Sequence, residues 1–442
     1  MENLIIQLSK YIIIILFAIY TLYCFTVFRG RDKERQKRIY RKQQVLMYLI
    51  HLICHLLLFL NTQDTQLLIY YGLEVVFFAT SAFVYRFVYR NLSRLVFNNM
   101  QMLLAISFIM LARLEPALAK RQLFMAAAGL LICLVVPFLI EKFRYIDRLG
   151  WLYAVLGLIC LLSVFIPGVG IEKYGASNWI KLGPVTLQPS EFVKIIFVFF
   201  IAALLAKSTE FKEVAKITVL AAAYVLVLVL ERDLGGAFIF FVTYMCVLYA
   251  ATSQPMYTVA GVGAFSIVSV VAYQLFSHVR VRVQAFLDPW SDIDTGGYQV
   301  ASSLFAIGTG GWFGMGLGKG LPMSIPVRES DFIFSAISEE MGGIFAVCMI
   351  LVCLSCFIMF VNIAMKMRRT FYKLTALGLS VIYIFQVFLT IGGAIKFIPS
   401  TGVTLPLVSY GGSSVLSTVL LFSIIQGMYV LNQDEVRRNE ER

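Results

Sequence analysis

Charge is scarce in this chain. Asp, Glu, Lys and Arg make up 14% of its 442 residues, where a soluble globular domain carries about a quarter. With 60% hydrophobic residues and a mean hydropathy of +0.83, that deficit excludes an ordinary soluble fold. Cysteine supplies no covalent or metal framework. All eight (Cys24, Cys54, Cys133, Cys160, Cys246, Cys348, Cys353 and Cys356) fall inside apolar runs without ligand spacing, and they read as small core hydrophobes. The first apolar run, 5–28, is too long for a secretory-signal core and no small-residue cleavage pattern follows it, so it reads as a helix that stays. No internal repeat stands out, which weakens an inverted-repeat transporter.

What is present is a series of apolar runs of about twenty residues, each long enough to cross a hydrocarbon core of about 30 Å. Thirteen are expected, at 5–28, 45–61, 66–88, 100–115, 122–141, 149–168, 191–207, 214–231, 234–252, 257–277, 333–362, 373–396 and 403–431. The fourth is the weakest, short and ending at Arg113. With that count, the basic clusters at 29–42, Arg86/Arg90/Arg94, 141–148, 207–216 and 366–373 all fall on one side, with the charged tail 434–442. By the positive-inside rule that side is cytoplasmic and the N-terminus lies outside. The net charge of +12 is thus a topology signal, and no nucleic-acid partner is expected.

Two loops on the other side are long: 167–190, and roughly 278–331, which carries Gly296, Gly297, Gly308, Gly310, Gly311, Gly314, Gly316, Gly318 and Gly320. Trp, Phe and Leu among these glycines argue for order, and long ordered loops are usually functional. The run lacks the Gly-Lys-Ser/Thr of a Walker loop, so its glycines are expected to pack backbone closely against the membrane surface.

Four segments, in order, resemble the SEDS family (shape, elongation, division and sporulation; RodA/FtsW-type). They are GASNWIKLGPVTLQPSEFVK (175–194), ERDLGGA (231–237), GYQVASSLFAIGTGGWFGMGLGKG with RESDFIFSAISEEMG (297–342), and IPSTGVTLPLVSYGGSS (398–414). The likeness covers roughly 100–431 and implies an all-α polytopic core of about ten helices, preceded by about three extra N-terminal transmembrane helices of no assigned role (1–98). It also implies peptidoglycan glycosyltransferase activity on lipid II, the undecaprenyl-pyrophosphate-linked disaccharide-peptide, beside a class B penicillin-binding protein in the bacterial plasma membrane. Three positions depart from the usual pattern. Asn178 stands where Arg precedes Trp, Ser302 where a Gln follows the Gly-Tyr-Gln triplet, and Arg232 where Pro precedes Asp-Leu-Gly. The first removes a fixed cation, for which nearby Lys181 is a substitute.

Joining a sugar hydroxyl to a polyprenyl-pyrophosphate sugar needs a base for the proton and positive charge for the departing pyrophosphate. Asp331 closes the long loop before the run DFIFSAISEE. From the residues alone it is either that helix's N-cap or the base, and the resemblance makes it the catalytic aspartate. Glu339 and Glu340 follow on different faces, and one is expected to line a cavity, the alternative being burial against Arg or Lys. Glu191 and Lys194, at i and i+3, form a polar cavity wall or a surface pair. Gln188 and Ser190 are candidate caps, and Asp233 is either a substrate contact or a turn residue. Lys181, Arg280, Lys319 and Lys396 form a cationic pool for the pyrophosphate, although Lys396 can equally snorkel to headgroups and Arg280 and Arg282 can contact lipid phosphate. Tyr410 to Ser414 read as a small-residue packing stretch.

No ligand cluster dictates a metal, though a divalent cation (Mg2+ or Mn2+) bridging Asp331 and the pyrophosphate is compatible. His51 and His55, at i and i+4, have no third ligand apparent in the sequence and are expected to be bundle-facing, and Glu74 is read with the same caution. Two alternatives compete with the polymerase: a flippase for the same lipid, and a non-catalytic scaffold for a synthase. An outer-loop base suits chemistry on an exposed headgroup better than passage through the bilayer.

Overall fold

The computed structural model of the chain describes residues 2–440 apart from 30, 31, 144, 174, 175, 184, 292, 294 and 295. Gly175 and Pro184 of the first motif lie outside the described residues, as do Gly30, Arg31 and Arg144 of the basic clusters and Glu441 and Arg442 of the tail. Among the described residues, twelve helices are long and apolar enough to cross a membrane, and a shorter apolar helix runs from Gly150 to Phe165. Together they correspond to the thirteen expected crossings.

The chain begins with α1 (Glu2–Thr26), α2 (Lys33–Thr62) and α3 (Gln66–Val88), followed by α4 (Arg94–Leu114), α5 (Pro116–Cys133) and α6 (Val136–Lys142). The basic segment at 29–42 is mostly helical from Lys33 on, an extension of α2 capped by Asp32, whose side chain accepts from Glu34 N. Helix α4, the weakest reading from the sequence, is the most central: its whole apolar window is buried. Its polarity is satisfied inside the bundle. Asn99 donates to Ser355 Oγ at 2.7 Å and accepts from Tyr20 at 2.9 Å, and Gln101 donates to Phe78 O at 2.9 Å. A central helix can be short and polar because neighbouring helices, not lipid, surround it.

Next come α7 (Gly150–Leu162) and an antiparallel sheet of β1 (Gly170–Lys173), β2 (Ala176–Leu182) and β3 (Val185–Leu187), with Ile171 opposite Trp179 and Lys181 opposite Thr186. Helices α8 (Pro189–Lys207), α9 (Phe211–Leu230), α10 (Leu234–Thr252) and α11 (Pro255–Leu275) follow. Helix α11 buries no residue and is apolar all round, as suits a helix surrounded by lipid.

The long loop is partly helical: α12 (Ser277–Leu287) and α13 (Tyr298–Gly310) lie within it, and α14 (Ile333–Met341) follows it. Every residue of α14 is buried. The crossing expected at 333–362 is therefore α15 alone (Gly343–Lys366), because Gly342, at φ +89°, ends α14 in a conformation that L side chains rarely adopt. Helix α16 (Thr370–Ala394) precedes a non-helical segment, and α17 (Gly412–Glu440) starts nine residues later than the expected 403, Pro399, Pro406 and the Gly411–Gly412 pair interrupting the helical pattern.

The glycine run folds onto the end of α14. Met315 N and Gly316 N donate to the carbonyls of Glu339 and Glu340, both at 2.9 Å. Gly314, at φ +74°, packs so tightly on the Glu340–Gly342 backbone that a Cβ there would overlap it. The N-terminal helices reach the same loop: Lys10 Nζ donates to Gly314 O at 3.1 Å, and Asn61 Nδ2 to Leu317 O at 3.0 Å.

Candidate active site

Four connections meet at one end of the bundle: the sheet before α8, the α9–α10 turn, the 278–331 loop and the 398–411 segment. Ser177 N donates to Glu231 O at 3.0 Å, Tyr410 N to Glu329 O at 2.7 Å, and Ser409 Oγ to Ser330 O at 2.6 Å. Arg282, on α12, donates to Ser400 O at 3.3 Å. With Gln188 N donating to Ser413 Oγ at 3.1 Å, all four sequence motifs are joined.

Asp331 sits half-buried in the turn before α14. It is not the N-cap: that position is Phe332, with no side-chain cap. Its Oδ1 accepts from Ser330 Oγ at 3.0 Å, and among the described residues Oδ2 accepts no hydrogen bond. The carboxylate is therefore not consumed by a structural task. Gly402, at φ +72°, passes close to both Asp331 and Arg282; a Cβ built there would lie 3.6 Å from Asp331 Oδ2 and 3.8 Å from Arg282 Nη2. Burial raises the Asp331 pKa above the ordinary carboxylate value, assisted by Glu329 and opposed by the Ser330 hydrogen bond and Arg282. Burial also lowers Arg282, and Asp233 and Asp331 offset this.

Asp233 caps α10, accepting from Gly236 N at 2.7 Å. It also accepts from Asn178 Nδ2 at 3.3 Å, Gln188 Nε2 at 3.4 Å and Ser190 Oγ at 3.2 Å. Gln188 and Ser190 thus serve Asp233, not the N-terminus of α8. The amide of Asn178, standing in for a cation, still gives Asp233 a donor. Glu231 beside it is fully buried, and neither carboxylate oxygen has a hydrogen-bond partner among the described residues. Burial first, and Asp233 second, push its pKa up to about 9, so it is protonated at neutral pH.

A second polar group lies below. Lys194 Nζ donates to Glu191 Oε2 at 2.6 Å and to Gln386 Oε1 at 2.8 Å, and Ser417 Oγ donates to the same Glu191 oxygen at 2.6 Å. Gln386 Nε2 then donates to Thr404 O at 3.0 Å, and Gln188 N to Ser413 Oγ at 3.1 Å, so α8, α16, α17 and the 398–411 segment share one network. Tyr410–Ser414 therefore contributes hydrogen bonds as well as close packing.

Glu339 and Glu340 stand apart from this group. Glu339 Oε1 accepts from Leu321 N at 2.9 Å, and Glu340 pairs with Arg113 at 3.0 Å and accepts from Gly318 N at 3.1 Å. Both hold the glycine run, and Glu340 is the glutamate buried against an arginine. Of the cationic pool, Lys181 and Lys319 are exposed, Arg280 is exposed on α12, and Lys396 Nζ reaches Leu287 O at 3.5 Å. Arg282 is the cation that the fold brings to Asp331. Two residues apart on a helix, Arg280 and Arg282 face nearly opposite ways; the expected pool named Arg280 and left Arg282 to lipid phosphate. Ser302 is half-buried on α13, while its neighbour Ser303 ties that helix to Ala394 O at 2.7 Å.

These observations define a multi-pass helical membrane protein with a half-buried carboxylate and a guanidinium gathered at one end of the bundle. The FtsW/RodA/SpoVE family, described as "Cell cycle protein", matches residues 85–433, and the chain belongs to it. The peptidoglycan glycosyltransferase RodA of Mycobacterium tuberculosis is 36% identical over 328 residues, 70% of each chain. A probable peptidoglycan glycosyltransferase FtsW of Saccharophagus degradans is 32% identical over 339 residues, covering 73% of this chain and 84% of that one. Among solved structures, a chain of a peptidoglycan synthase complex that coordinates polymerization and crosslinking superposes with a TM-score of 0.67 at 26% identity, covering 78% of this chain and 98% of that one. The rod-shape-determining protein RodA of Thermus thermophilus gives 0.57 at 25% identity, covering 78% and 97%.

Proposed function

We infer that this chain is a plasma-membrane peptidoglycan glycosyltransferase that lengthens glycan strands from lipid II, with Asp331 as its base. The observation that carries this reading is the Asp331 carboxylate, not spent on capping α14, close to Arg282 beside Gly402, because the glycosyl transfer named for its relatives needs an acceptor for a proton and a counter-charge for a pyrophosphate. Asp331 takes the proton from the acceptor sugar hydroxyl as that oxygen bonds to the donor's anomeric carbon. The carbon–oxygen bond to the pyrophosphate breaks, and the leaving diphosphate carries away the electron pair. Arg282 faces the developing negative charge, with Arg280 and Lys396 at the rim of the same end. A positioned base supplies about 10²- to 10⁴-fold, so positioning and electrostatics supply the remainder.

Glu191 and Lys194 support this centre as a buried wall, and Asp233 by holding β2, α8 and α10 together. A divalent cation, Mg2+ or Mn2+, would find an oxygen donor of the kind it prefers in the open Asp331 Oδ2 and would neutralise pyrophosphate charge. The reactive end is extracytoplasmic on this reading, with the N-terminus outside and the C-terminal tail inside. A crosslinking transpeptidase, the class B penicillin-binding protein, is the partner, and the three N-terminal helices are a docking element for it.

The deciding experiment is purified protein with labelled lipid II and no other polymerase. Lengthening glycan chains with wild type and none with Asp331→Asn, at equal monodispersity, is expected. Translocation of the lipid without chain growth would instead make the protein a flippase.

A further inference from the structure

Away from the reaction centre, the N-terminal helices hold a buried cluster that the glycosyl transfer does not use. His51 and His55 lie on one face of α2, and Glu74 reaches them from α3; the three are 0%, 1% and 1% exposed. His51 Nε2 stands 2.7 Å and His55 Nε2 3.2 Å from the same oxygen, Glu74 Oε2. One ligand atom from each residue lies within 4.8 Å of the others. The Tyr71 ring covers both imidazoles, at 5.1 and 5.4 Å between centroids.

Proton placement makes this arrangement informative. His55 Nδ1 lies 3.1 Å from the carbonyl of His51. A carbonyl only accepts, so Nδ1 carries the hydrogen, and neutral His55 then presents the Nε2 lone pair. That lone pair is aimed at a carboxylate oxygen, which is unfavourable unless positive charge lies between them. A carboxylate inside a membrane bundle likewise costs several kcal/mol without a counter-charge.

We propose that His51, His55 and Glu74 form a site for a first-row divalent metal, with Zn2+ the best match, that clasps α2 to α3. Two imidazoles and one carboxylate are an established zinc donor set, and histidines at i and i+4 project from one helical face towards one ion. The Nδ1–H to carbonyl hydrogen bond of His55 is the contact that fixes a metal-bound imidazole in place. Bonds of about 2.0–2.2 Å in a tetrahedron set ligand atoms about 3.3 Å apart. The His55–Glu74 separation of 3.2 Å already suits that, and the 2.7 Å separation of His51 from Glu74 opens by a few tenths of an ångström. The sequence alone offered the two histidines without a third ligand; packing α3 on α2 supplies it.

The proposal is independent of the polymerase reading, and its test measures metal. Full-length protein is purified in detergent, incubated with Zn2+, desalted and analysed by elemental mass spectrometry. Wild type is expected to retain roughly one Zn2+ per chain, and His51→Gln/His55→Gln and Glu74→Gln to lose at least nine-tenths of it at unchanged monodispersity. Co2+ loading of wild type gives the visible d–d absorption of a tetrahedral nitrogen–oxygen site, a readout that survives if a variant fails to fold. Equal retention by wild type and variants, or no retention and no Co2+ spectrum in wild type, would overturn the site and leave a protonated histidine–glutamate pair in its place.

Discussion

Asp331 and Arg282 both approach the backbone of Gly402, from which a Cβ would lie 3.6 Å from the carboxylate and 3.8 Å from the guanidinium. The guanidinium comes from α12, the carboxylate from the turn before α14, and the glycine from the segment between α16 and α17. The first two lie at opposite ends of the 278–331 loop and the third in the 398–411 segment, so the reacting geometry depends on all three keeping their places.

The pH dependence of glycan polymerisation reports the Asp331 environment. A base works deprotonated, and burial raises this carboxyl above its usual range near 3.9. Activity is therefore expected to fall as pH drops through an apparent pKa above that value. Asp331→Asn lowers the rate by about 10² or more and leaves no such acid limb; a limb persisting in residual activity at near wild-type rate contradicts the assignment.

Arg282 and Arg280 should separate cleanly. Arg282→Ala removes the cation beside Asp331 and is expected to cost about tenfold or more in kcat/KM, the scale of one charged hydrogen bond. Arg280→Ala, exposed on the same helix, changes it less. Steady-state kinetics with lipid II distinguishes them, and equal losses would place the guanidinium role elsewhere.

Gly402→Ala tests the backbone between them. At φ +72° an L side chain costs about 1–2 kcal/mol, and relief of that strain displaces the 398–411 segment. The expected result is a reduced kcat with a Tm lowered by only a few degrees.

Glu231 predicts a stability profile. Its folded pKa of about 9 lies above the unfolded value near 4.3, so folding takes up a proton between them. The stabilisation is complete below the unfolded pKa and is lost as pH rises through about 9. Glu231→Gln should flatten that loss and raise Tm at alkaline pH, as read by thermal scans across pH.

Arg113→Met leaves the Glu340 carboxylate buried and unpaired, with an expected cost of about 3–5 kcal/mol. Adding Glu340→Gln should recover much of it in a denaturation assay, because the orphaned charge is then gone.

The thirteen crossings were legible because an apolar run of sufficient length is dictated by the hydrocarbon it spans. Legibility failed where protein replaces lipid as the surroundings. Helix α4 looked marginal because its apolar run is short and ends at Arg113, yet Asn98, Asn99 and Gln101 find partners inside the bundle and Arg113 pairs with Glu340. The break at Gly342 was hidden because α14 is a wholly buried helix that runs directly into the crossing it precedes. Within the site, the motif containing Asp331 stood out, whereas its proximity to Arg282 depends on how α12 lies on the 398–411 segment. Glu339 spends Oε1 on Leu321 N, while its buried Oε2 has no partner among the described residues, an asymmetry that local spacing does not reveal. Local spacing also could not bring Glu74 to His51 and His55, since the ligands come from separate helices.

The hydrogen bonds of Lys10 and Asn61 to the glycine run give the extra helices mechanical leverage. A load on α1 or α2 passes through Gly314 and Leu317 into the stretch of chain that leads to Asp331. The N-terminal bundle therefore anchors one end of the stretch of chain that leads to the aspartate.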